Sequence, residues 1–275
     1  MKKTTGIIIA LLLILTPKAL AAEEAEEVRL PIVMYHHISR RPEMWNDYVV
    51  SLEEFSSDMK YLKEMGWKTI SVDELLAWQR GEFNMPEKAM MITFDDGFAS
   101  LTAYAEPILA EYGFTAVAAL IGSVCEEYSE SGEYDPEWSD LSWEMAREMV
   151  ERGVIEVQCH SWDLHSGEWT VGCARRYGES VGDYRRRLSG DLSKFIVQCD
   201  RNGVEMTYSI AYPFGEYEEA TTEIVRDMGF RAAFTCTEQI NILTGDASEL
   251  YYLGRYNRPH GISSEKFFKK WENNY

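Results

Sequence analysis

Basic side chains are in short supply. Lys and Arg number 27 against 46 Asp and Glu in 275 residues, a formal charge of −19 at pH 7. Such a balance lacks the electrostatic footprint of a nucleic-acid binder and disfavours capture of polyanions. It suits a neutral substrate held by hydrogen bonds and aromatic faces. Cysteine is sparse and unpatterned: Cys125, Cys159, Cys173, Cys199 and Cys236 include no Cys-x-x-Cys spacing, which excludes a cysteine zinc site or a thioredoxin-type role. The odd number leaves at least one thiol unpaired. Most read as small buried hydrophobes, with room for one disulfide. Long apolar runs are missing too, since the stretch 6–16 falls short of the ~20 residues that span a bilayer.

That stretch has another reading. Lys2 and Lys3 precede it and Ala19-Leu20-Ala21 follows as a small-residue cleavage site, so residues 1–21 are expected to be an export signal, with an uncleaved membrane anchor as the alternative. Either places the remainder outside the cytoplasm, secreted or at the cell surface. Removing these residues takes away three lysines and leaves 24 basic against 46 acidic side chains, a charge of −22. Residues 22–29 form an acidic, solvated leader. Residues 30–275, in a chain 45% hydrophobic, fit one large domain.

Strand-length apolar runs recur at 30–35, 89–94, 114–121, 154–159, 206–211 and 230–235, with a weaker one at 67–70. Helix-like segments alternate with them. Ser51 and Glu54 make a capping box ahead of Phe55, Met59 and Leu62 on one face. Similar patterns cover 101–111, 142–152, 181–201 and 218–228, and Gly66, Gly113, Gly153, Gly203 and Gly229 stand at helix ends. Alternating strands and helices imply a parallel sheet, and six to eight units in this length fit a barrel better than an open sheet. Residues 125–141 read as an irregular insertion.

The polar residues then acquire a common address. His36 and His37, Asp95 and Asp96, His160, and Pro213-Phe214-Gly215 all follow strands, at carboxyl ends that share one face of a parallel barrel. Thr93-Phe94-Asp95-Asp96-Gly97 crowds two carboxylates at a turn, tolerated best if a cation or proton lies between them. In His160-Ser161-Trp162-Asp163-Leu164-His165 the two imidazoles would diverge by about 140° on a helix. At a strand end followed by a turn they can converge. With one carboxylate, Asp95 or Asp96, they would complete a His₂-carboxylate set with open positions. Cys159, one residue from His160, alternates to the opposite face.

Together with Ala211-Tyr212-Pro213-Phe214-Gly215, these segments resemble, in order, the first three motifs of the polysaccharide deacetylases, carbohydrate esterase family 4. The resemblance runs from about residue 31 to 271 and implies a distorted (β/α) barrel of mainly parallel strands, the NodB-homology type, as a single catalytic domain. It also implies removal of acetyl groups from N-acetylated or O-acetylated sugars with a divalent metal, most often zinc. Carried over by residue, Asp95 corresponds to the general base, and Asp96, His160 and His165 to the metal ligands. Metal-bound water is the implied nucleophile, the Phe214 N–H the implied oxyanion donor, and Tyr212 and Trp162 candidates near the substrate. The implied partner is an N-acetylated polysaccharide or oligosaccharide, with no stable protein partner.

Two departures accompany the resemblance. Many members carry a late Leu-x-His motif for the general acid; none occurs here. Tyr35-His36-His37 is similar to a Tyr-His of permuted members related to poly-N-acetylglucosamine deacetylases, which makes His36 the expected acid, with His37 pointing away. His260 is the other candidate acid by position, but in its Pro-Gly turn it is expected to be a solvent-exposed histidine. Position 211, arginine in many members, is alanine. Arg255 resembles an arginine near the last strand of the permuted relatives and either replaces it beside Asp95 or lies on the surface. Trp45 and Trp138 are further aromatic candidates. An acetyl-ester or other amide hydrolase, or a non-catalytic carbohydrate-binding protein, are the alternative functions.

Overall fold

The computed structural model describes residues 27–165 and 171–272. The signal segment and residues 22–26 of the leader lie outside the described residues. The chain enters through β1 (Val28–Leu30), β2 (Ile32–Tyr35), β3 (His37–Ser39), β4 (Val49–Ser51), α1 (Leu52–Glu64), β5 (Lys68–Thr69), α2 (Val72–Gln79) and β6 (Ala89–Phe94). It continues through α3 (Glu106–Tyr112), β7 (Ala116–Leu120), α4 (Gly122–Ser131), α5 (Trp143–Glu151), β8 (Ile155–Cys159), α6 (Val181–Asn202) and β9 (Met206–Ala211). Then come α7 (Glu219–Asp227), β10 (Ala232–Phe234), β11 (Asn241–Leu243), β12 (Tyr256–Asn257) and α8 (Ser264–Glu272).

Several elements depart from the sequence reading for identifiable reasons. The run 30–35 is split at Pro31, which has no N–H for a ladder, and strand β1 starts two residues before the domain boundary drawn at 30. The helix expected over 101–111 opens with a π-type turn, Leu101–Ala105; Pro107, with no N–H to give to residue 103, sits where the α-helical register begins. The insertion 125–141 is not wholly irregular, because α4 occupies its first part. Only Gly122 and Cys125 of that helix are buried, so its apolar stripe was too thin to see.

The central sheet runs β10-β9-β8-β7-β6-β2-β12, with β5 also on β6. Each of these pairings is parallel, and the strands are joined by crossovers that are mainly helical, as parallel pairing demands. The sheet curls until its edges nearly meet. Leu253 bridges to Phe234 of β10, and four residues later Asn257 pairs with Met34 of β2. The short segment 253–257 therefore joins the two edges of a mostly parallel, distorted barrel.

Strand alternation divides the core in two. Ile32, Ala89, Met91, Val117, Ala119, Ala211 and Phe234 pack inside the curl, against α2 and Leu253. Val33, Tyr35, Met90, Ile92, Phe94, Ala118, Cys159 and Tyr212 face the helices. Extending this alternation past each strand end turns 36, 95 and 160 toward the interior and 35, 37 and 159 toward the helices, although His37 still borders the cleft at the strand ends.

Tyr35 shows how tightly that parity is held. Its hydroxyl donates to Asp58 Oδ2 of α1 (2.8 Å), and Arg258 donates to the same carboxylate through Nε (2.8 Å) and Nη2 (3.1 Å). The side chains of Asp58 and Arg258 are fully buried. This ion pair ties the end of β2 to α1 and to the turn after β12. Arg258→Met leaves the Asp58 carboxylate buried without its cation, and a loss of ~3–5 kcal/mol of stability is expected. Chemical denaturation followed by circular dichroism measures it, and a variant as stable as wild type would contradict this role.

Candidate active site

A cleft of about 610 Å³ opens at the carboxyl ends of the parallel strands, lined among others by His36, Asp95, Asp96, His160, His165 and Phe214. Residues more than 170 positions apart meet there because the sheet curls.

At the end of β6, Asp95 is enclosed and faces Arg255. The guanidinium donates from Nη1 to Oδ1 (2.6 Å) and from Nη2 to Oδ2 (2.8 Å), while Nε donates to the Thr235 carbonyl (3.0 Å). Arg255 is 0% exposed and Asp95 3%. Arg255 is therefore not a surface residue. It stands beside Asp95, where the short side chain of Ala211 offers no cation. Burial opposes the charge on Asp95, but the charge of Arg255, with His160 and the two hydrogen bonds, holds the carboxyl well below the usual carboxylate range.

Asp96 turns the other way. Its φ of 74° is in the left-handed region, and its Oδ1 lies 3.6 Å from His160 Nε2 and 3.5 Å from His165 Nε2. Burial pushes this carboxyl up to about 6 against the pull of His160, with the Asp95 charge adding to the rise. Oδ1 is buried and has no hydrogen-bond partner. His160 Nδ1 is 2.8 Å from the Ala211 carbonyl, which can only accept, so the proton is on Nδ1 and the Nε2 lone pair faces Asp96. Burial also lowers the pKa of His160 and His165, favouring neutral rings. One atom from each of Asp96, His160 and His165 falls within 4.8 Å of the others. An unpartnered carboxylate oxygen and two neutral imidazoles fit a divalent cation, which would offset the buried charge.

Among the described residues, the non-glycine positions with positive φ are Asp96, Ser161 (75°) and Phe214 (59°). Each such conformation costs of the order of 1–3 kcal/mol, and all three belong to the segments that build the cleft. The Ser161 turn swings His165 back toward His160, with ring centroids 4.9 Å apart. Its scaffold was not evident from sequence: Asp191 of α6 accepts from Trp162 N (2.7 Å) and Asp163 N (3.0 Å), and Ser161 Oγ accepts from Leu164 N (3.0 Å). The Phe214 ring then stacks on His165, centroids 4.2 Å apart.

The two N-terminal histidines separate cleanly. His37 Nε2 donates to the Glu137 carbonyl (3.2 Å), which can only accept, so in the neutral ring Nδ1 accepts from Ser100 Oγ (2.9 Å), whose oxygen in turn accepts from Ile38 N (3.3 Å). Both His37 nitrogens are thus committed to the loop scaffold. His36 Nδ1 has no protein partner, and its ring lies edge-on to Tyr48 at 5.0 Å. Burial lowers the His36 pKa while Asp95 opposes this. The buried Glu137 carboxylate, another residue unmarked in the sequence, gathers Ser39 Oγ (2.5 Å), Tyr104 OH (2.7 Å) and Arg40 N (3.1 Å), fixing the insertion against β3.

Other sequence candidates fall elsewhere. Tyr212 is fully buried and stacks on Tyr217 (4.8 Å); it follows inward-facing Ala211, and alternation turns it to the helices rather than to substrate. Trp162 packs over Gly122 and under Lys194 Nζ (3.9 Å to the ring), outside the cleft lining. Trp45 rests against His260 (4.9 Å), and Trp138 is exposed beneath the Arg41 guanidinium (4.7 Å). His260 is not a free surface histidine, because its Nδ1 meets Glu54 Oε2 at 2.7 Å. All five cysteines are free thiols, four buried and Cys236 exposed at the cleft.

A mostly parallel barrel with an arginine-gripped aspartate beside a candidate metal triad defines the hydrolase class of NodB-type domains. Residues 83–233 match the polysaccharide deacetylase family, and the chain belongs to it. It is similar to the poly-beta-1,6-N-acetyl-D-glucosamine N-deacetylase of Escherichia coli (strain K12), 27% identical over 195 residues, which are 64% of this chain but 29% of that protein. It therefore spans under a third of that relative's length. The protein of the same name from Staphylococcus aureus (strain MSSA476) is 26% identical over 231 residues, 82% of this chain and 73% of the relative. Among solved structures, IcaB from Ammonifex degensii superposes with a TM-score of 0.68 at 26% identity, covering 84% of this chain and 91% of that one.

Asp191 supports the His165 turn without touching the triad. Asp191→Ala should weaken divalent-metal affinity ~10- to 100-fold, the range for outer supports of metal ligands, with the fold intact. Isothermal titration of the metal-depleted protein with Zn²⁺ measures this, and unchanged affinity would show that the turn needs no such support.

Proposed function

We propose that this protein is a secreted or cell-surface hydrolase that removes acetyl groups from an N-acetylated glucosamine polysaccharide and depends on a divalent metal, zinc by preference. The observation that carries the reading is the convergence of Asp96, His160 and His165 beside an Asp95 locked by Arg255 and a His36 with an uncommitted nitrogen. Two imidazole nitrogens and one carboxylate oxygen are a donor set that zinc favours. A bound cation would supply Lewis-acid polarisation of the acyl oxygen and of water.

The chain's own groups then divide the remaining work. Asp95 is held ionised, and the two Arg255 donors use one side of each carboxylate oxygen, leaving lone pairs to accept a proton from the attacking water. Arg255 fixes the direction of that acceptance. The Phe214 N–H, in its left-handed turn, is assigned to the oxygen that gains charge. His36 delivers a proton to the leaving amine. The glucosamine polymer is inferred from the names of the relatives, supported by the acidic charge and by the aromatic ring of Tyr48 on the cleft lining. Export is inferred from the N-terminal pattern.

Acetate release from N-acetylglucosamine oligomers and purified peptidoglycan tests the reading. Release should stop on chelation and return with Zn²⁺. His36→Ala should lower kcat by ~10²-fold or more with metal still bound, as loss of a general acid does, and His260→Ala should leave turnover near wild type. Acetate release that persists after metal removal is verified would sink the metal mechanism.

A further inference from the structure

We propose that Asn241 is a positioning residue for the reaction: its side chain clamps the backbone of Gly254, which fixes Arg255 and, through it, the carboxylate of Asp95. This rests on the reading of Asp95 as the group that accepts the proton.

Segment 253–257 must cross from one sheet edge to the other. Leu253 exchanges hydrogen bonds with β10 through Leu253 N to the Ala233 carbonyl (3.0 Å) and Thr235 N to the Leu253 carbonyl (2.8 Å). Tyr256 and Asn257 pair with β2. Gly254 falls between the two ladders, where both its backbone groups need partners away from water. The Asn241 amide supplies them. Its Oδ1 accepts from Gly254 N (2.7 Å), and Nδ2 donates to the Gly254 carbonyl (3.0 Å) and to the Leu30 carbonyl (2.9 Å). Asn241 is buried, and its amide acts as a one-residue substitute for a neighbouring strand.

The next residue is Arg255. Its backbone N–H reaches the Thr237 carbonyl (2.9 Å) and its side chain reaches Thr235 and Asp95. The segment is packed so closely that a Cβ on Gly254 would lie 2.6 Å from the Thr237 carbonyl oxygen and press on Gln239. A shift of Gly254 therefore carries Arg255 with it. Reacting groups misplaced by ~1 Å can cost ~100-fold in rate. Because Asn241 holds Gly254 from β11, on the side away from the cleft, its removal should change turnover without changing substrate contacts.

The competing role is structural only, holding the β1–β11 pair. A double-mutant cycle separates the two. Asn241→Ala and Asn241→Asp are each measured on N-acetylglucosamine oligomers in the wild-type and Arg255→Lys backgrounds. Asp keeps the acceptor for Gly254 N–H and loses both donated bonds. The expected result is a kcat lowered ~10- to 100-fold at unchanged KM in the wild-type background, and less than ~3-fold further loss on top of Arg255→Lys. Gly254→Ala, which keeps Asn241 and displaces the segment instead, should show the same pattern.

A second readout needs no turnover. In the folded wild type the Arg255 Nε–H should exchange slowly with solvent by NMR, and in the Asn241 variants at least 10-fold faster. Equal kcat losses in both backgrounds, or unchanged Nε–H exchange in a folded Asn241 variant, would overturn the proposal. A wild type that releases no acetate would instead refute the functional reading, while the exchange measurement still judges the positioning.

Discussion

The site depends on one buried ion pair. Asp95 and Arg255 lie 160 residues apart in the chain, and neither is tolerable in the interior alone, because a solitary buried charge costs several kcal/mol. Paired bidentately, with the Arg255 Nε–H on the Thr235 carbonyl, they keep a carboxylate ionised where water is mostly excluded. The pairing also requires the barrel edges to come together, because Arg255 lies on the segment that spans them. Closure of the fold and preparation of the aspartate are the same event.

The neighbouring carboxylates illustrate how backbone conformation separates chemical roles. Asp95 continues the inward alternation of β6 and meets a cation of the protein. Asp96, turned into the left-handed region, points away to two neutral imidazoles and keeps an unpartnered oxygen. One is stabilised as an anion by the chain itself and the other is stabilised only if something positive arrives. The local strain at Asp96, Ser161 and Phe214 is held in place by the surrounding ladders and by supports such as Asp191, which is how a stable scaffold carries conformations that a free peptide would avoid.

Much of this was legible along the chain. The strand runs 89–94 and 206–211 coincide with β6 and β9, and the capping box at Ser51 and Glu54 starts α1 as expected. Those features depend on neighbouring residues only. The opposite pointing of His36 and His37 was also readable, since period-two alternation carries past the end of β2. The same rule places Tyr212 on the helix side, but its place in a motif obscured that parity. Arg255 could be read equally as surface or site, because an arginine next to a glycine carries no local sign of burial.

Sequence by itself determined the alternation of the main strands and helices, the acidic charge, the strand-end location of the motifs and the family they resemble, because periodicity, turn chemistry and composition are local. Tertiary structure decided what lies beside what: Arg255 on Asp95, Ser100 and Glu137 on His37, Asp191 under the His165 turn, and Asn241 on Gly254. These pairings depend on the curl of the sheet and on a closure made by a handful of residues near the end of the chain. No window of neighbouring residues contains both partners, so only the folded chain could show them.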